Sequence, residues 1–328
     1  MAINGIKRVR FGVDDVAEAV RFITDFGLGE PEWNGQSALF RVPEGSIVEV
    51  HPSDAADLPP PYVDGNGPRE VIWGVETQDD LDSIAADLGR DRKVSVDDRG
   101  VLHTVDDCGI PIGFELYQRV PPVTEAEPEN TLSDIRRWDR HRRWYDQARP
   151  KVLFHVVFGV ADVDRGVAFY TQRLKFRVTD MNRGLGVFMR AEGRAEHHNL
   201  FLLKSPKPLF SHISFGVDNI DELMAGANTM QRQGWSAGVG LGRHRVSSLI
   251  FYYLRSPLGG QFEYSADGDY LTDAWQPRLW DTHFGHLHWV AQAAAGAQPH
   301  PGTSEILTNP PPPLAETVRE RSPGGERE

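Results

Sequence analysis

Along this chain, short apolar runs rich in Val, Ile and Phe alternate with stretches whose apolar residues recur every three or four positions. The first pattern predicts strands and the second amphipathic helices. Val9-Arg10-Phe11-Gly12-Val13-Asp14-Asp15-Val16 echoes Val156-Val157-Phe158-Gly159-Val160-Ala161-Asp162-Val163, 147 positions later. A helical period follows each, through Val16, Val20 and Ile23 in one copy and Val163, Val167 and Tyr170 in the other. A second pair of runs, Val71-Ile72-Trp73-Gly74-Val75 and Ile213-Ser214-Phe215-Gly216-Val217, lies 142 positions apart and is again followed by helices, through Leu81, Ala85 and Leu88 and through Leu223, Ala227 and Met230. Such self-similarity marks an internal repeat. Four copies of a strand, helix, several-strand unit begin near residues 6, 69, 152 and 211, two to a domain. The expected fold class is α+β: two domains, each of two βαβββ modules forming an open, barrel-like mixed sheet.

The expected domain limits are 1–119 and 151–270. Between them a Pro/Glu-rich linker, Val120 to Glu129, leads into Ser133-Asp134-Ile135-Arg136-Arg137-Trp138-Asp139-Arg140-His141-Arg142-Arg143-Trp144-Tyr145. That charged aromatic segment reads as a surface helix capped by Ser133 and packed across the domains. Residues 271–328 leave the repeat. Trp275 to Trp289 is aromatic and carries His283, His286 and His288, a cluster whose spacing fits no zinc pattern, though one member could line a pocket mouth. From about Ala291 the composition turns to Ala, Pro, Gly and charge, which predicts disorder.

Composition narrows the function class. The chain has 328 residues, a formal net charge of −12 and no long Lys/Arg run, which argues against a nucleic-acid or anionic-membrane partner. One cysteine, Cys108, allows no internal disulfide and fits a reducing cytoplasm. No apolar stretch has the length of a signal peptide core or a membrane span, so a cytoplasmic protein is expected. Aromatic residues such as Trp138 and Trp144 are compatible with a homo-oligomer.

Three residues carry the candidate chemistry. His155 and His212 sit in apolar strand runs at the heads of two related units, and Glu263 lies in the strand run Gly260-Gln261-Phe262-Glu263-Tyr264. A lone histidine in such a run is more often structural. Two at equivalent positions together with a carboxylate make a facial triad for a divalent metal with three open positions, the arrangement of non-haem Fe(II) oxygenases. Carried into the first domain by the repeat offsets, these positions become Arg8, Glu70 and Glu115. Arg8 has no lone pair to offer a metal, so an Arg8–carboxylate pair is expected to fill that half.

Over roughly residues 5 to 270 the chain resembles the type I extradiol ring-cleaving dioxygenases, members of the vicinal oxygen chelate superfamily that also contains glyoxalase I. The resemblance is carried by His197-His198-Asn199-Leu200, His212, Gly242-Arg243-His244, Tyr253, Pro257 and Phe262-Glu263-Tyr264. It implies metal ligands at His155, His212 and Glu263, an acid–base histidine at His198 (with His197 as the alternative), and substrate-hydroxyl partners at His244 and Tyr253. It also implies Fe(II), or Mn(II) on the same ligands, and a catechol-type diol cleaved by O2 in aromatic degradation. The chain departs from the biphenyl-type enzymes at Arg245-Val246-Ser247-Ser248, which bears on substrate choice. Two alternatives stand beside this reading: a glyoxalase-like lyase or isomerase, which usually needs a fourth protein ligand, and a protein that sequesters an aromatic antibiotic.

Overall fold

The computed structural model describes residues 3–124, 126–281, 287–291 and 304–318. Four βαβββ modules follow one another. The first is β1 (Ile3–Val13), α1 (Val16–Ile23), β2 (Glu32–Trp33), β3 (Ala38–Arg41) and β4 (Ile47–Pro52). The second is β5 (Gly67–Val75), α2 (Gln78–Leu88), β6 (Ser95–Val96), β7 (Leu102–Val105) and β8 (Pro111–Leu116). The third is β9 (Val152–Val160), α3 (Val163–Ala168), β10 (Arg177–Asn182), β11 (Gly186–Arg190) and β12 (Leu200–Lys204). The fourth is β13 (Leu209–Gly216), α4 (Ile220–Arg232), β14 (Gly242–His244), β15 (Ile250–Arg255) and β16 (Gln261–Ala266). Each helix is opened by a side-chain oxygen that accepts from a backbone N–H three residues on: Asp15 from Glu18, Thr77 from Asp80, Asp162 from Arg165 and Asn219 from Glu222. These caps satisfy donors that a helix start leaves orphaned.

The modules join pairwise into two open mixed sheets. The first runs β2-β3-β4-β1-β5-β8-β7-β6, and the second repeats that order as β10-β11-β12-β9-β13-β16-β15-β14. The halves share one continuous apolar core. Phe26 from the turn after α1 stacks on Tyr264 at 4.1 Å and meets Phe215 and Phe262 edge-on. The Tyr264 hydroxyl donates to the Phe26 carbonyl at 2.8 Å. Gly27 makes this approach possible: its φ is +96°, and a Cβ there would lie 2.0 Å from the Ala148 carbonyl oxygen.

Three expectations need correction. No helix forms at residues 133–145 among the described residues. The Asn130 side chain instead accepts from the Arg136 and Arg137 backbone N–H groups, while Arg140 pairs with Glu127 and Arg142 with Glu129 and Asp221. The segment is folded back on its own linker and onto α4, with Trp138 and Trp144 exposed. Side-chain capture of backbone donors has outcompeted a short, unsupported helix.

The C-terminal extension is also more ordered than its composition suggests. Strands β17 (Arg278–Trp280), β18 (Leu287–Val290) and β19 (Ser304–Ile306) lengthen the second sheet at both edges. Further on, Leu314 and Thr317 are buried, and Thr317 is tied to Arg183 and Gly184. An edge strand needs backbone groups more than apolar side chains, so composition hid it. His283 and His286 lie outside the described residues, and His288 is exposed on β18.

The third correction is a register. Ser214 on β13 lies opposite both His155 on β9 and Glu263 on β16. The matching residue of the first half, Ile72, lies opposite Arg8 and Gly113. Gly113, and not Glu115, therefore takes the Glu263 position. The sequence match slipped by two residues, a shift that preserves the inside–outside alternation and leaves no mark on the pattern. The Arg8 expectation stands: its guanidinium donates through Nε and Nη2 to the two Glu115 oxygens at 3.1 and 3.0 Å, and through Nη1 to Glu49.

The shared core makes a test. Phe26→Ala is expected to cost about 3–5 kcal/mol, the range for a buried Phe truncation. Both halves should lose structure in a single urea transition at a lower midpoint. Two separated transitions in tryptophan fluorescence and far-UV circular dichroism would show that the halves fold independently.

Candidate metal centre

Three neighbouring strands, β9, β13 and β16, each bring one donor to the same face. His155 and Glu263 flank Ser214, and His212 is two residues earlier on the central strand. Side chains opposite one another or two apart along a strand share a face. The Nε2 atoms of His155 and His212 are 3.1 Å apart, and they lie 3.2 and 3.6 Å from Glu263 Oε2. Donors on one face of an octahedron with bonds of ~2.1 Å would sit ~3.0 Å apart, so the spacing suits a single ion. Among the described residues this is the one set of three or more His, Cys, Asp or Glu side chains whose ligand atoms converge in this way.

Glu263 is fully buried, yet neither of its oxygens makes a hydrogen bond. A buried carboxylate without donors is costly unless a cation completes it. Burial raises its pKa, but the His155 and His244 imidazoles beside it overcome that and hold it well below the usual carboxylate range. Burial also presses the His212 imidazole down to about 3. A carboxylate held ionised beside a neutral His212 suits metal binding, which needs deprotonated ligands. These donors fit a divalent ion.

The other expected residues gather around the same point. Tyr253 lies opposite Glu263 across the β15–β16 pair, and its hydroxyl is 3.1 Å from His244 Nε2. Burial, then the Glu263 carboxylate, pushes the Tyr253 phenol well above its ordinary range, so it stays a hydrogen-bond donor. His244 stacks on Phe251 with 4.2 Å between centroids. The hairpin that joins Tyr253 to Glu263 turns through Gly259 and Gly260, both at positive φ. His198 is buried with its ring 4.2 Å from that of His155. Burial first, then the His155 and His197 imidazoles, keep it well below the ordinary histidine pKa.

These side chains line a cavity of about 200 Å³ whose remaining wall includes Val157, Phe188, Phe201, Leu203 and Val246. Phe188 and Phe201 stack face to face at 4.0 Å, 5° from parallel. Sequence reasoning missed this wall, although Val157 lies two positions after His155 in the same strand run. It also missed Asp180, whose Oδ2 is 3.1 Å from His197 Nε2. A lone Asp in a strand carries no signal by itself.

Residues 152–264 match the family described as the Glyoxalase/Bleomycin resistance protein/Dioxygenase superfamily. The chain is 27% identical over 280 residues to "Metapyrocatechase 2" of Cupriavidus necator, covering 82% of this chain and 83% of that protein. The superfamily match falls on the half that holds His155, His212 and Glu263. A further relative is "Biphenyl-2,3-diol 1,2-dioxygenase" of Paraburkholderia xenovorans strain LB400, 25% identical over 319 residues, covering 90% of this chain and 99% of the relative. Among solved structures, a Mn(II)-bound glyoxalase from Novosphingobium aromaticivorans superposes with a TM-score of 0.70 at 20% identity, over 92% of this chain and 95% of the other. That last likeness speaks to the fold. No helix among the described residues is long and apolar enough to cross a membrane.

A pH test follows from the buried imidazoles. An unfolded-chain histidine titrates near 6.5, whereas His212 in the folded, metal-free protein does so at about 3. Between those values the unfolded chain binds a proton that the folded one refuses, so stability falls as pH drops below about 6.5. Asp106, raised by burial to about 6, works in the opposite sense between pH ~4 and 6. The informative quantity is therefore a difference. From pH 7 to 5, the urea midpoint of metal-free His212→Asn should fall less than that of the wild type. Equal falls would place His212 in a wetter site.

Proposed function

We propose that this protein is an extradiol dioxygenase of the vicinal oxygen chelate superfamily, which cleaves a catechol-type aromatic diol beside its hydroxyls with both atoms of O2 entering the product. The observation that carries the reading is the one-sided convergence of His155, His212 and Glu263, with His198, His244 and Tyr253 across the same cavity. The catechol-dioxygenase names of the curated relatives support it. Fe(II) held by the three donors would supply a Lewis-acidic, redox-active centre with neighbouring open positions for a diol and dioxygen. We assign Fe(II) in preference to Mn(II) because two imidazoles and a carboxylate on one face form the set characteristic of Fe(II) oxygenases.

The chain's own residues do the remaining work. Tyr253 and His244, themselves in contact, donate to one diol oxygen and fix which hydroxyl lies deeper. His198 accepts a proton from the diol and returns it later, as a neutral imidazole can. The Phe188–Phe201 stack and Val157 exclude water and face the ring. Domain roles follow: residues 1–119 act as scaffold and residues 151–270 hold the chemistry.

A glyoxalase-like activity is less well supported, because the described residues offer three converging donors and the first half places Arg8 where His155 stands in the second. An antibiotic-sequestering protein would have no use for the triad.

The test is anaerobic reconstitution with Fe(II) or Mn(II), then oxygen uptake against a panel of catechols. Fe(II) should give uptake and a yellow ring-opened product, and His212→Ala should lose metal and uptake together. His198→Gln should keep its metal and slow turnover by about 10²- to 10⁴-fold, the usual weight of a general acid–base. Uptake that persists after iron is stripped would refute the assignment.

A further inference from the structure

Behind His198 runs a chain of buried polar groups that the proposed chemistry leaves without a role. His198 Nδ1 is 3.1 Å from His197 Nδ1, and His197 Nε2 is 3.1 Å from Asp180 Oδ2. All three residues are at most 5% exposed. The other Asp180 oxygen accepts the Arg278 backbone N–H at 2.7 Å, the hydrogen bond that docks strand β17 of the C-terminal extension. The His197 ring is held between Phe188 and Trp275, and its backbone N–H donates to the Asp269 carbonyl at 3.0 Å. Trp275 is fixed in turn by donating from Nε1 to the Thr179 carbonyl at 2.8 Å.

The order of donors along this chain follows from its carboxylate end. An Asp180 carboxylate can only accept, so His197 carries its proton on Nε2. A neutral His197 then has a bare Nδ1, which must accept from His198 Nδ1. His198 is left with its proton on Nδ1 and a lone pair on Nε2. We propose that Asp180 and His197 are positioning residues that lock His198 in this tautomer, with Nε2 as the proton acceptor toward the cavity, and that the C-terminal extension holds the chain in place through Arg278 and Trp275. The inference rests on the acid–base role given to His198. A carboxylate that orients an imidazole from behind is a recurring means of keeping a catalytic base in its working form.

The first measurement needs no metal and no turnover. Ring ¹⁵N–¹H correlation spectra of metal-free protein labelled with ¹⁵N-histidine, with His198 assigned by its absence in His198→Gln, should show a protonated Nδ1 and a bare Nε2. A protonated Nε2 on His198, as a doubly protonated His197 would impose, overturns the proposal.

Asp180→Asn keeps the shape but lets the amide donate to His197 Nε2, which reverses every donor and should move the His198 proton to Nε2. In the Fe(II)-loaded enzyme, D180N is then expected to lower kcat by about 10- to 100-fold, with KM for the diol and bound iron unchanged. On a His198→Gln background D180N should cost nothing further. An equal loss on both backgrounds, or wild-type kcat in D180N, overturns the proposal. If D180N does not fold, the wild-type spectrum decides. Wild-type turnover in H198Q alone would instead sink the acid–base role of His198, a failure of the functional reading that the tautomer spectrum distinguishes from this one.

Discussion

The site depends on one strand register. Ser214, at the middle of β13, is the residue across from which both His155 and Glu263 are set, and His212 follows from it by the two-residue repeat of the strand. A one-residue slip of β13 against either neighbour would turn a donor to the opposite face. Two features hold the register. The Ser214 and Ser265 hydroxyls meet at 2.6 Å in a fully buried position. On the other face of the same strands, Phe215 and Phe262 pack against Phe26 of the first half. The interface between halves therefore does more than join them: it clamps the strands whose reverse faces carry the donors.

The same architecture in the first half shows what happens when the donors are absent. Its equivalent positions are Arg8, Glu70 and Gly113, and the space is occupied by ion pairs: Arg8 with Glu49 and Glu115, Arg10 with Glu49 and Glu70, and His103 with Glu70. Here buried carboxylates are satisfied by guanidinium groups, whereas Glu263 in the second half has no hydrogen bond. A buried ion pair often adds little net stability over an apolar filling, but removing one partner is expensive. Guanidinium groups thus stand in the first half where the second half gathers imidazoles around Glu263.

Much of this was legible in the chain. Unit boundaries are written in strand periodicity, which the fold obeys locally; the His155–His212–Glu263 set rests on strand runs together with the family resemblance, which also implies Tyr253. What was hidden depends on distance or on parity. The slip from Gly113 to Glu115 preserved parity and was invisible. The absent helix at 133–145 reflects Asn130 and Glu127 capturing arginines many residues away, against which capping and charge pattern are weak guides. Strand β19 and the buried Leu314 come from a Pro-rich segment whose order derives from docking on Arg183 and Gly184, so nothing local announces it. Asp180 becomes meaningful only once folding sets it beside His197.

The departure at Arg245–Ser248 acquires a physical role from the same viewpoint. Val246 is buried in a small apolar cluster with Val157, Phe188 and Phe201, separate from the main core and bounded by Leu203 and Trp280. A cluster detached from the core, beside a cavity, is a wall for something apolar to lie against. The loop that delivers Val246 bends sharply: Ser247 and Ser248 both take left-handed φ, at +76° and +55°. Two consecutive non-glycine residues there store strain, which survives where surrounding contacts over-determine the path. Those contacts come from both sides. Arg243 donates to the Ser248 carbonyl at 2.6 Å, and Arg245 donates to the Leu287 carbonyl of β18 at 2.9 Å. The C-terminal extension therefore braces the cavity twice, through β17 behind Asp180 and through β18 behind Val246. Under the proposed chemistry, the diol end of the substrate is set by strands of the repeat, and the wall facing the rest of its ring is braced by residues outside the repeat, which can vary without disturbing the donors.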